Sequence, residues 1–358
     1  MICIHVCFGR LMYACKSLLT GIHTCVPSPF RLLIGLLSRP RRSLRTKWNA
    51  QNTGRLAAAV SNAGGIGLVG SGGHTIDFLR TEWRAAQTCK HNADLLGFGM
   101  NIKSLDSLPA DTLGDLVREL RPAHVYLSFG SLEKYAREVL DNGAALYSNA
   151  GDVAVALQHA SHGATCVVLQ GSDAGGHTHH RASLMALLPE CRSALDDAGF
   201  TETLLVAAGG VADGRGMAGS LVLGADAVIL GTRLAAAEES DYSDTQKAAL
   251  VQAKDGANTT TLGFFHDALL GIEEHSSGLP GRCLITDSSA LQRRWEQADA
   301  AEREAIKKEH QNSGRETTWA GAAVGLIKRV QPAAEILNEV TREAVTALQG
   351  GNALVKAA

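Results

Sequence analysis

From Thr53 onward the chain alternates between short apolar runs and stretches in which apolar residues recur at three- and four-residue intervals. The first pattern belongs to strands buried on both faces, the second to amphipathic helices. Gly54–Asn62 predicts a helix, stopped by Gly64 and Gly65, and Ile66–Gly70 a strand. Thr75–Cys89 returns to helical spacing, Leu95–Asn101 predicts a strand, and Pro109–Leu120 a helix with Pro122 beyond its end. The alternation continues through strand His124–Gly130, helix Ser131–Asn142, strand Ala144–Ser148 and helix Asp152–His162. Three more apolar runs follow, Cys166–Gln170, Leu204–Ala208 and Asp226–Leu230, each ending in a glycine-rich turn. Helices are predicted between them, over 183–198 and 213–223.

Seven successive strand–helix units predict an α/β fold with a parallel sheet. A closed (β/α)8 TIM barrel needs eight strands. The position ahead of the helix at Gly54 reads Arg45-Thr-Lys-Trp-Asn-Ala-Gln-Asn52, which has no strand-like run. The first strand is therefore missing, or atypical and drawn from the segment before it, where Leu32–Leu37 is the apolar candidate. An open doubly wound sheet is the competing fold, but phosphate-type turns after the last two of seven units favour the barrel. After Arg233 the repeat ends. Helix Tyr242–Asp255, an irregular stretch Thr259–Ser289, a charged helix Ala298–His310, an apolar run Trp319–Ile327 and a closing helix Pro332–Leu348 follow. The expected organisation is an atypical basic segment over 1–52, the barrel with its cofactor site over 53–240, and a C-terminal, mostly helical lid over 241–358.

Charge changes the picture at one end. Of the 34 Lys and Arg residues nine lie within 1–55, which hold no Asp or Glu, so the remainder carries 25 basic against 36 acidic residues. The body is an acidic globular domain with no basic face for nucleic acid, and no apolar run is long enough to span a bilayer. The basic, acid-free start reads as an organelle transit peptide, as translated non-coding sequence at a misplaced gene start, or as local variation. A cytoplasmic location is expected, with a mitochondrial one as the alternative. Four of eight cysteines precede residue 26 and the others stand singly, the pattern of free thiols in a reducing compartment. Cys3-x-His5-x-Cys7 has no second ligand pair at a useful spacing, so no metal site is expected.

The chemistry gathers at the glycine-rich turns. Ala208-Gly-Gly-Val-Ala-Asp-Gly214 and Gly231-Thr232 follow the last two strands, where barrels often hold a phosphate on backbone N–H groups and a helix N-terminus. Glycine there lets an oxygen approach the amide. Two such turns in adjacent units point to a phosphate-bearing cofactor. Gln170 and Asn101 end strands, and their amides can match the donor–acceptor edge of a flavin ring or bond a neighbouring loop. His177 follows Ala174-Gly-Gly176 and is the candidate for proton transfer near neutral pH; His74, after Gly72-Gly73, is second. His159 and His162 are expected at the surface of their helix.

Four stretches and a tail carry a resemblance. Leu56-Ala-Ala-Ala-Val-Ser-Asn-Ala-Gly-Gly65, Gln170-Gly-Ser-Asp-Ala-Gly-Gly-His177, Ala207-Ala-Gly-Gly-Val-Ala-Asp-Gly-Arg-Gly216 and Leu223-Gly-Ala-Asp-Ala-Val-Ile-Leu-Gly-Thr-Arg233 resemble the nitronate monooxygenase family, formerly called 2-nitropropane dioxygenases. Trp319-Ala-Gly-Ala-Ala-Val-Gly-Leu-Ile-Lys328 resembles its fungal branch. The resemblance implies an FMN-dependent barrel that oxidises alkyl nitronates, and in some members nitroalkanes, with O2 to a carbonyl compound and nitrite. It makes His177 the catalytic residue and Asn101, Gln170, Gly175, Gly176, Gly209, Gly210, Leu230, Gly231 and Thr232 the flavin contacts, with no metal. The partners implied are the small-molecule substrate and O2, not a nucleic acid or a membrane. The chain departs from the family in two places. The family's first strand ends in a Pro-Met pair, which occurs nowhere in this chain, and Ala322-Ala323 stand where a small polar pair is expected. The alternatives are an FMN-dependent enoyl-thioester reductase and an inactive remnant lacking the first barrel strand.

Overall fold

The computed structural model describes residues 53–71, 75–88, 92–269, 278–285, 288–313 and 317–357. His74, the segment 1–52 with its Cys3-x-His5-x-Cys7 run, and the expected first strand lie outside them. The described strands, in chain order, are β1 Gly67–Gly70, β2 Leu96–Asn101, β3 His124–Ser128, β4 Ala145–Ala150, β5 Cys166–Gln170, β6 Gly176–His177, β7 Leu204–Ala208, β8 Ala227–Ile229, β9 Thr260–Gly263 and β10 Gly281–Leu284.

Seven of them form a parallel sheet in the order β1-β2-β3-β4-β5-β7-β8. Each strand pairs with the next in the repeat, and the order never reverses. A doubly wound sheet requires a reversal, so that competing fold is ruled out. Every residue of β1, β2, β5, β7 and β8 is buried, which is why these strands read as continuous apolar runs rather than alternating ones.

The sheet is curled, and the segments flanking its two edges bond each other. Helix Gly54–Asn62 precedes β1, and from it the Arg55 guanidinium donates to the carbonyls of Glu239 (3.2 Å) and Glu238 (3.1 Å), beyond β8. Thr53 Oγ1 adds a bond to Asp241 Oδ1 at 3.2 Å. Helix Ala333–Ala357 packs on the outer side against both helix Gly214–Val222 and helix Gly54–Asn62. The approach is close: a Cβ at Gly214 would lie 2.3 Å from the Ala344 nitrogen.

Two expectations are corrected. Thr259–Ser289 is not irregular throughout, since it holds β9, β10 and helix Phe265–Leu269. β10 pairs antiparallel with β9 on one side and β6 on the other, with Gly281 opposite His177. Strands this short carry no readable alternation, and the β6 partner is remote in sequence. His159 is not a surface residue: it is buried, on a stripe with Ala156 and Ala160 that faces inward from helix Val153–Ser161. The closing helix lies on the flank, while β9, β10 and the 319–322 segment meet the turns at the carboxyl ends of the strands. Among the described residues no helix is long and apolar enough to cross a membrane.

Candidate active site

The glycine-rich turns after β5, β7 and β8 converge at the carboxyl edge of the sheet. Gly209 and Gly210 have φ of +103° and +74°, a region that side chains rarely enter. Successive glycines of this kind turn backbone N–H groups toward one concavity, a nest suited to an anion. The turn after β5 packs directly on it: a Cβ at Gly209 would lie 2.9 Å from the Ala174 nitrogen. Gly231 precedes the short helix Thr232–Ala235, and the Thr232 hydroxyl oxygen accepts from Gly321 N at 2.8 Å. That hydroxyl keeps its own hydrogen to donate. Leu230 is buried in the core and offers the site only its backbone.

Gln170, fully buried at the end of β5, holds the histidine loop against the sheet. Its Nε2 donates to the His177 carbonyl (3.0 Å) and its Oε1 accepts from His179 N (3.3 Å). Asn149, at the end of β4, donates to Gln170 Oε1 at 3.5 Å and accepts from Phe129 N at 2.9 Å. Phe129 has φ of +58°, unusual for a bulky residue, and the Asn149 bond helps hold it there. Asn101 caps helix Ile102–Leu105 by accepting from Lys103 N at 2.9 Å. Both amides named from the sequence are thus buried at strand ends, Gln170 bonded to the histidine loop and Asn101 to the helix that follows it.

Gly175 and Gly176 shape the stretch before His177. A Cβ at Gly175 would lie 2.5 Å from Ala320 C and Gly321 N, and Gly176 has φ of +68°. Glycine at these two places lets the 319–322 segment close over the turn, where Ala322 N donates to Asp173 O at 2.9 Å. His177 stands on β6 with its ring 5.3 Å from that of Trp319, and its Nε2 is 2.9 Å from Asp267 Oδ2. The side chains of His177 and Asp267 are only 8% and 3% exposed, so the pair is screened little by solvent. Asp267 comes from helix Phe265–Leu269, 90 residues away in sequence. The neighbouring histidines differ. Burial lowers the pKa of His179, whose Nε2 lies 3.3 Å from Asn149 Nδ2, and brings that of His266 down to about 4. Cys191 and Cys283 are buried and form no disulfide, and burial pushes both thiols up, that of Cys191 to about 12, so neither is a ready nucleophile.

The sequence named His177 and the turns but not Asp267 or Asn149, which the fold places beside them, and Trp319 entered only as part of a tail motif. Asp267 had no local signal, because Phe264-Phe-His-Asp-Ala-Leu269 has neither a spacing nor a residue class that marks a site. Asn149 stands at a strand end like Gln170 and Asn101, so the rule that selected those two would have found it.

The sequence profile of the nitronate monooxygenase family matches residues 115–343. The chain is 32% identical over 325 residues to the nitronate monooxygenase of Neurospora crassa, covering 81% of this chain and 85% of that protein. It is 33% identical over 321 residues to the nitronate monooxygenase npaC of Metarhizium robertsii, covering 81% and 87%. Among solved structures, FabK from Thermotoga maritima superposes with a TM-score of 0.70 at 27% identity, over 86% of this chain and 93% of that one.

Proposed function

The chain belongs to the nitronate monooxygenase family, and on that premise we propose that it oxidises alkyl nitronates with O2, to a carbonyl compound and nitrite, using FMN. The observation that carries this reading is contiguity. The turn that ends in His177 packs on the Gly209–Gly210 turn, so a proton-transfer group and a phosphate nest share one rim. We read the seven-stranded curl as the frame of a (β/α)8 barrel, with 53–240 as the flavin-bearing part and 241–358 as the part that covers the site.

The donor set fits a flavin phosphate. The N–H groups of Gly209, Gly210, Gly231 and Thr232 and the Thr232 hydroxyl would hold it, in turns that side chains at Gly209 and Gly210 would strain. Gly175 and Gly176 would lie along the ring system, Leu230 would contribute backbone, and Asn101 and Gln170 would stand at its polar edge. Bound flavin supplies the electron acceptance and the reaction with O2 that no side chain here can provide. The protein's own part is different. The half-buried Trp319 ring against His177 would keep water from that face, and the Gln170–His177 carbonyl bond fixes the loop. For a neutral nitroalkane, His177 takes the proton from the carbon beside the nitro group; a preformed nitronate needs no such step.

The test is direct. Purified protein should be yellow, release FMN on heating and form nitrite from a nitronate in air. Colourless protein that stays so after FMN is added would sink the reading. Steady consumption of a reduced nicotinamide without nitronate would favour the enoyl-thioester reductase.

A further inference from the structure

The structure assigns Asp267 as the residue that positions His177 and selects its tautomer, so that Nδ1 is the ring atom that takes the substrate proton. The substrate half of this inference rests on the nitronate monooxygenase reading; the tautomer half does not. A neutral imidazole carries one N–H and one lone pair. A carboxylate only accepts, so with Asp267 in that form the 2.9 Å contact puts the hydrogen on Nε2 and the lone pair on Nδ1.

The placement is built by the second sheet. Gly281 of β10 stands opposite His177 of β6, and helix Phe265–Leu269 follows directly on β9, the other partner of β10. Gly281 makes the room: a Cβ there would lie 2.5 Å from Trp319 Cζ3 and 3.2 Å from His177 Nε2. Each element packed on β6 carries ionisable groups. Asp267 and His266 stand on the short helix, Arg282 and Cys283 on β10, and Asp173 and His179 on the flanking loop. The Arg282 guanidinium is engaged by the Ser172 carbonyl and Thr260 Oγ1, and the His266 ring lies against Trp319 at 6.2 Å. Asp267 Oδ2 is the atom that meets His177 Nε2, at 2.9 Å.

The step balances as follows. The C–H bond beside the nitro group breaks and its electron pair spreads onto the nitro oxygens, giving the nitronate. The proton forms a new N–H bond at Nδ1, and the resulting imidazolium shares its Nε2 hydrogen with the Asp267 carboxylate.

The experiment combines kinetics with a spectroscopic readout on the flavin-loaded enzyme. In Asp267→Asn, kcat/KM for a neutral nitroalkane should fall by about 10²-fold, the low end of what a positioned general base contributes. Its acid limb should move to lower pH, because loss of the carboxylate disfavours the imidazolium. Turnover of the preformed nitronate should fall far less, and Asp267→Glu should recover part of the nitroalkane rate. In ¹⁵N spectra of histidine-labelled parent protein, His177 should carry its hydrogen on Nε2, and Asp267→Asn should weaken that preference. A parent His177 protonated at Nδ1, or an Asp267→Asn enzyme with an unmoved pH profile, would overturn the inference. If the parent turns over neither substrate, the activity reading fails while the spectra still decide the tautomer. If Asp267→Asn does not fold, the parent spectra and Asp267→Glu decide.

Discussion

Replacing Gly175 by alanine tests whether the histidine turn and the 319–322 segment form one closed unit. The added Cβ would lie 2.5 Å from both Ala320 C and Gly321 N, where ordinary contact begins at 3.4 Å. One of the two backbones must therefore yield by about 0.9 Å, and neither is the free end of a flexible side chain. Overpacking of this kind costs roughly 1–3 kcal/mol. The segment that must move also carries the Gly321–Thr232 and Ala322–Asp173 bonds, at 2.8 and 2.9 Å. Each is worth about 1 kcal/mol net, so with both weakened by about half the loss totals roughly 2–4 kcal/mol. At about 2 °C per kcal/mol for a large domain, the melting temperature should fall by roughly 4–8 °C. Because Thr232 is among the proposed phosphate contacts, flavin should also dissociate more readily. The assay is a thermal melt read by protein fluorescence and by release of flavin fluorescence. Gly219→Ala is the control: it lies inside helix Gly214–Val222 with nothing within 4 Å of its Cβ position, so it should hold or gain stability. A Gly175→Ala protein that melts with the parent and keeps its flavin would refute the close packing argued for this rim.

Other expectations follow from the same geometry. Gly209→Ala forces a side chain to φ +103° and to 2.9 Å from Ala174 N, so flavin per mole of protein, read by absorbance, should drop; full occupancy would remove this turn from the phosphate site. Arg55→Ala removes bonds to the carbonyls of Glu238 and Glu239 across the edges of the sheet, and urea denaturation should show a loss of about 1–2 kcal/mol, with an unchanged midpoint counting against the curl. The pH dependence has a definite sign. Burial holds His159 and His266 neutral down to about 4, while their unfolded counterparts take up a proton near 6.5. The unfolded state therefore binds more protons between those values, and stability should fall as the pH drops from 6.5 toward 4. Melting temperatures across that window check this, and His159→Gln should flatten the slope; a protein more stable at pH 5 than at pH 7 would contradict it.

Much of the frame can be read in the chain because its signals are local. Each of the seven strands from Gly67 to Ile229 is so largely buried that its apolar run is continuous, and the helix between two runs announces itself by its own spacing. The signals of Gly209 and Gly210 are likewise local, since a positive φ is a demand made by one residue's own backbone. His159 shows where such reading slips: its stripe with Ala156 and Ala160 was present in the spacing, but the residue type suggested the surface.

Tertiary structure alone decided the partners. β6 and β10 are too short for any period, and their pairing joins residues about a hundred positions apart. That pairing, with β9 and the helix after it, brings Asp267 to His177, whose ring lies against Trp319. Hydrophobic periodicity reports which side of an element faces inward, and it did so along most of this chain. It carries no record of which distant carboxylate will meet a given imidazole, because that choice is made by the packing of whole elements.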